Sequence, residues 1–176
     1  YLMNYTLGGA FNSRINLNLR EDKGWTYGAR SYFSSSDEPG SFSVYSGVLA
    51  QATDSAIYEI IQEIEGYREK GITDDELQFM KNSIGQREVL DYETPWQKSS
   101  FLSRIVHYDL GNSFIDDQSK LITDITKEEL SALAKKYLDL NQFYVVIVGD
   151  GVGNLTPLKK LGYELIELDA EGKQKR

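Results

Sequence analysis

The sequence predicts an α+β domain, a mostly antiparallel sheet with helices packed on one face. Three observations carry that prediction. Apolar and polar residues alternate from Trp25 to Ser34, and after a turn a second alternating run contains Phe42, Val44 and Val48. Amphipathic helical patterns with recognisable caps then follow one another as far as Tyr137, and an apolar run over residues 143–148 returns as a strand. A hairpin followed by a series of helices and then by returning strands is the element order of α+β folds.

Composition narrows the functional classes. The chain has 176 residues, 40% of them hydrophobic, enough for one ordinary domain with a sizeable core. Its net charge of −8 argues against nucleic acid and anionic membrane surfaces as partners, because both are met by concentrated Lys and Arg. There is no Cys, so disulfides, thiolate nucleophiles and Cys-type zinc sites are excluded while the compartment stays open. No apolar run approaches the ~20 residues of a membrane span. The chain starts in helix-like sequence at Tyr1 with neither initiator Met nor N-cap, which predicts residues 1–176 to be a single domain truncated at its N-terminal end.

Residues 1–7 predict the end of a helix interrupted by Gly8 and Gly9, and residues 10–22 its continuation, with Ile15 and Leu19 inward and Gly24 as the stop. In the strand that follows, alternation places Trp25, Tyr27, Ala29 and Phe33 on one face and Thr26, Arg30 and Ser34 on the other. Asp37-Glu38-Pro39-Gly40 is a turn signal. Ile57, Ile60, Ile61 and Ile64 recur at helical spacing up to a stop near Gly71. Thr73-Asp74-Asp75-Glu76 is a capping box that opens a helix with Leu77, Met80 and Ile84 inward. Thr94-Pro95 supplies N-cap and first position of another, with Trp96, Leu102, Ile105 and Val106 as core candidates. A second box, Thr126 to Glu129, opens a helix with Leu130, Leu133, Ala134 and Tyr137 on one side. Residues 143–148, without polar alternation, predict a central strand; a short helix around residues 155–161 and an edge strand over 163–168 complete the order.

Few residues have the makings of chemistry. His107 is the only histidine, on a helix between Val106 and Tyr108, and no H-x-x-E-H or H-E-x-x-H occurs; it is expected to be partly buried and structurally satisfied, and no metal site is expected in this chain. Gly149-Asp150-Gly151-Val152-Gly153 lacks the third glycine of a dinucleotide loop and predicts a turn, so no bound cofactor is expected either. Arg20, in the last helical turn, and Tyr27, early in the strand, stand apart. Together a guanidinium fork and a phenol could hold a carbonyl oxygen as it gains negative charge. Each also has an ordinary reading, the arginine complementing the helix dipole and the tyrosine filling a half-buried strand face.

The stretch from Leu7 to Tyr27, L-G-G-x-F-x-S-R-I-x-x-x-L-R-E-x-x-G-x-x-Y, resembles the peptidase M16 family, the pitrilysin, insulinase and mitochondrial processing peptidase group. Thr73-Asp74-Asp75-Glu76-Leu77 with Lys81, and residues 126–150 ending in Val145-Val146-Ile147-Val148-Gly149-Asp150, are similar to further family segments in the same order. The resemblance implies an M16 (LuxS/mitochondrial-processing-peptidase-like) half-domain. It also implies a clamshell partner, on the same chain or a separate subunit, that carries zinc on H-x-x-E-H, and a peptide substrate between the halves. In that family the second half supplies an arginine and a tyrosine spaced R-x6-Y, the spacing of Arg20 and Tyr27 here, to hold the substrate and the tetrahedral intermediate. This chain therefore resembles the C-terminal, zinc-free half of a metalloendopeptidase, not catalytic in isolation. Non-catalytic relatives with the same fold, structural or regulatory peptide-binding subunits, are the alternative. The tail over residues 161–172 is similar to endings of secreted bacterial members, which points to the periplasm or the exterior.

Overall fold

A computed structural model describes residues 1–34, 40–90, 93–111, 113–149 and 151–175. The α+β class holds, built on a small antiparallel hairpin with helices packed against it. Helix α1 (Leu2–Asn4) runs into a π-helical turn, Tyr5–Gly9, and α2 (Arg14–Asn16) into a second, Leu17–Asp22. Strands β1 (Thr26–Phe33) and β2 (Phe42–Val48) follow, then α3 (Thr53–Lys70), α4 (Asp74–Leu90), α5 (Pro95–His107), α6 (Phe114–Asp124), α7 (Lys127–Tyr137) and α8 (Gly151–Lys159).

The glycine pair does not break the first helix. The chain passes through Gly8 and Gly9 in helical form, closed by Ala10 N–H to the Tyr5 carbonyl at 2.9 Å, and turns extended only at Ala10 and Ser13. Close approach explains Gly8: a Cβ there would lie 2.9 Å from the backbone nitrogen of Ser31 in β1. Two buried asparagines then fasten this helical region to the hairpin. Asn4 donates to the Ser31 carbonyl at 2.7 Å and accepts from the Ser31 hydroxyl, while Asn16 accepts the Ala29 N–H at 2.8 Å and donates to the Phe11 carbonyl at 2.7 Å. Backbone groups of β1 that point away from β2 are thereby satisfied by side chains.

The core gathers Leu7, Ile15 and Leu19 from the helical region, Ala29 from β1, Ala56, Ile64 and Tyr67 from α3, Met80 and Ile84 from α4, and Leu130, Ala134 and Leu138 from α7 and its C-cap. Around it the predicted caps form. Thr73 and Glu76 exchange bonds of 2.7 and 3.2 Å, Thr126 and Glu129 bonds of 2.9 and 3.2 Å, and Thr94 and Gln97 close a third box over Pro95. Glu76 also binds outside its own helix. Its carboxylate takes the guanidinium of Arg14, at 2.5 and 2.6 Å, while Arg14 reaches the Gly71 carbonyl at 3.0 Å. Burial by itself raises the Glu76 carboxyl, but the Arg14 and Thr73 donors outweigh it and hold it below the ordinary value. Beside it the Tyr67 hydroxyl donates to the Met3 carbonyl at 2.5 Å; burial pushes its pKa up to about 12.

Several expectations are corrected. Residues 143–148 form no ladder; Phe143 packs on Phe42, 5.8 Å between ring centres, but Tyr144 and Val148 are 95% and 96% exposed. A strand needs a neighbour to pair its backbone, and among the described residues none is supplied. Residues 163–168 likewise make only a single bridge, Leu168 to Gln174. On α5, Trp96 is 80% exposed, with Leu102 and Val106 also exposed, so this helix buries no residue. In α3 the buried face is Ala56, Ile64 and Tyr67, with Ile57, Ile60 and Ile61 half-buried, and in α7 Leu133 and Tyr137 are exposed while Leu138 is buried. Helix α6, on which Phe114 and Ile115 recur seven residues on as Leu121 and Ile122, is an addition, and α8 starts earlier than expected. The Asp37-Glu38-Pro39 part of the predicted turn and Asp150 of the glycine turn lie outside the described residues.

Candidate functional site

Arg20 and Tyr27 are brought to the seam between the second π-helical turn and β1. The turn closes with Lys23 N–H on the Asn18 carbonyl at 3.0 Å, an i to i+5 bond, and the chain is handed to the strand by Trp25 N–H on the Leu19 carbonyl at 2.9 Å. Arg20 thus sits in a widened helical turn, a feature often found at functional positions.

The surroundings of Arg20 leave part of it uncommitted. Its guanidinium carbon lies 4.5 Å from the centre of the half-exposed Phe11 ring, and that ring has Arg30 at 5.7 Å as well. Nη1 comes within 2.9 Å of Glu21 Oε1, yet this buried nitrogen has no hydrogen-bond acceptor in acceptable geometry. The ion pair is one-third to one-half exposed and contributes little.

Tyr27 departs from its predicted face. Alternation groups it with Ala29, which is fully buried, but Tyr27 is 101% exposed and projects into solvent. The reason is a bulge. Thr26 pairs with Val48 and Ala29 with Ser46, so three steps along β1 match two along β2 and the side-chain order reverses across the extra residue. Arg30, Tyr32 and Tyr45 share the exposed surface of the hairpin, with Arg30 opposite Tyr45. Among the described residues no hydrogen bond joins Arg20 to Tyr27; the chain links them through the seam between the second π-helical turn and β1.

Sequence reasoning missed Phe11, Arg30 and the residues that make the bulge. A glycine inside a strand pattern, Gly28, was the available signal, since an interior strand glycine often marks a bulge. His107 is exposed at the end of α5, edge-on to Tyr108 at 4.5 Å, and not partly buried as expected. Among the described residues no group of three or more His, Cys, Asp or Glu side chains could hold a metal, so the residues present do not fit a zinc site. A shallow groove lined by Lys70, Ile72, Lys127 and Lys135 shares no residue with the Arg20–Tyr27 seam.

Residues 1–84, from α1 through most of α4, match the family model described as the peptidase M16 inactive domain. Over just under half of its length the chain is similar to a peptidase M16 inactive domain. Its relatives agree. An uncharacterized zinc protease of Streptomyces coelicolor is 28% identical over 140 residues, covering 78% of this chain and 30% of that protein. The uncharacterized zinc protease YmxG of Bacillus subtilis is 31% identical over 99 residues, covering 56% of this chain and 24% of the relative. The chain therefore spans less than a third of the length of these relatives. Among solved structures, a peptidase M16 inactive domain from Pseudomonas fluorescens superposes with a TM-score of 0.72 at 24% identity, over 78% of this chain and 33% of that one. A protease from Helicobacter pylori superposes with a TM-score of 0.69 at 17% identity, over 80% and 34% of the two chains. At those identities the structures speak for the M16 fold alone. Among the described residues no helix is long and apolar enough to cross a membrane.

Proposed function

We propose that this domain is the substrate-side half of an M16-type zinc-dependent metalloendopeptidase, with Arg20 and Tyr27 as its contribution to the active site. In this reading the metal and the general base, on H-x-x-E-H, belong to a partner domain or subunit, and a peptide lies between the two halves. The partner's zinc would supply the activated water. What this chain supplies is hydrogen-bond donors: the Arg20 guanidinium and the Tyr27 hydroxyl hold the carbonyl oxygen of the peptide and bind it more strongly as negative charge develops there.

The observation that supports this most is the presentation of Tyr27. A tyrosine that filled a strand face would be buried beside Ala29; this one is turned wholly outward, seven residues after an arginine with an N–H that has no aligned acceptor. Relatives described as zinc proteases are consistent with it.

The test is kinetic and uses the full-length protein together with its zinc-bearing half. Folded Tyr27→Phe and Arg20→Ala variants are expected to lose about 10²- to 10³-fold in kcat on a quenched fluorescent peptide library, the usual effect of removing one oxyanion donor. Unchanged kcat and kcat/KM in both would sink the assignment. The isolated domain is expected to bind no stoichiometric zinc by elemental analysis and to cleave none of the same peptides.

A further inference from the structure

The bulge that turns Tyr27 outward is held by a specific set of polar side chains. The Thr26 hydroxyl accepts the Gly28 N–H at 3.0 Å and the Ser46 hydroxyl at 3.0 Å, and it has the Gly47 carbonyl at 2.7 Å to donate to. A hydroxyl offers one donor and two acceptor positions, so Thr26 is used to capacity. Ser46 also lies 3.2 Å from the Gly28 carbonyl, and the Leu49 N–H takes the Trp25 carbonyl at 2.9 Å just before the bulge. From the other side the buried Asn16 amide accepts the Ala29 N–H at 2.8 Å, fixing the first regular residue after it. Asn16 is one helical turn before Arg20. The same amide therefore ties the segment carrying Arg20 to the strand carrying Tyr27.

We infer that Thr26, Ser46 and Asn16 are positioning residues for the Arg20–Tyr27 pair: their hydrogen bonds stabilise the extra residue in β1 and so decide that the Tyr27 phenol faces the substrate. The inference rests on the reading of Tyr27 as a substrate-holding group. Its structural half stands separately, because without the bulge strict alternation puts Tyr27 on the buried face of Ala29. Thr26→Val keeps the shape of the side chain and removes the bonds of the Thr26 hydroxyl, leaving the Gly28 N–H without its partner. Thr26→Ser restores them.

Two measurements on the full-length protein test this. The first is nitration of Tyr27 by tetranitromethane, read by peptide mass spectrometry. The wild type and Thr26→Ser are expected to label fully at Tyr27, and Thr26→Val and Ser46→Ala to be protected several-fold while the exposed Tyr45 labels as before. Undiminished labelling in folded Thr26→Val and Ser46→Ala overturns the inference whatever the enzyme does. If Thr26→Val does not fold, Ser46→Ala alone carries the comparison.

The second is a double-mutant cycle in kcat with the zinc-bearing half present. Thr26→Val is expected to lose about 10²-fold, the scale of an ångström-sized misplacement, and to lose nothing further in a Tyr27→Phe background. Thr26→Ser is expected to restore the rate. Equal losses in both backgrounds mean a merely structural role and overturn the positioning claim. A Tyr27→Phe enzyme with wild-type kcat overturns the catalytic reading of Tyr27 instead, and the labelling result then decides the bulge by itself.

Discussion

Arg14 and Glu76 show how one residue of a recognisable motif can do two things. Glu76 completes the Thr73 capping box and at the same time accepts from Nε and Nη2 of Arg14, locking the helix that leads to Arg20 onto the start of α4. Its carboxyl is held below the ordinary value, so the folded state binds that proton less readily than the unfolded chain does. The resulting stabilisation is complete above about pH 4.5 and is lost as pH falls through the lower folded value. Thermal melts of the full-length protein should show Tm dropping below that pH, and Glu76→Gln should flatten the acid limb while lowering Tm at pH 7. A Glu76→Gln profile with an unchanged acid limb would place the acid sensitivity elsewhere.

Elements owe their positions to close packing as much as to propensity. The first π-helical turn lies against β1 because Gly8 has no side chain to hold it off, and the Asn4–Ser31 pair closes the same contact. Gly8→Ala is expected to cost about 1–3 kcal/mol, as overpacking in tight sites does, and to do so by moving a helix off a strand. Urea unfolding would measure it; a loss under ~0.5 kcal/mol would mean that Ser31 yields. Helices were readable where caps and stripes coincide, at α4 and α7, because both signals are local. At α5 the cap and the helix are where the sequence puts them, but its apolar residues, though correctly spaced, are not buried.

At the scale of the molecule, apolar character and burial part company after α7. Residues 143–148 have the composition of a central strand and the exposure of a surface segment, and the chain spans less than a third of its curated relatives. Apolar surface that is not covered stabilises nothing. In this chain Val146→Lys is therefore expected to change unfolding free energy by no more than ~0.5 kcal/mol, whereas Leu130→Ala, in the core on α7, is expected to cost about 2–5 kcal/mol. A large loss from Val146→Lys, measured by the same urea titration, would show that the run is buried in solution.

The α+β class, the three capped helices, the hairpin and the R-x6-Y spacing of Arg20 and Tyr27 all lay in the sequence, because caps, periodicities and spacings are properties of neighbouring residues. The direction of Tyr27 did not. Alternation along a strand assigns a face only while pairing stays in step, and the Thr26, Ser46 and Asn16 bonds that slip it by one residue come from three separate elements. Only their meeting in the folded domain turned a side chain expected in the core out into solvent.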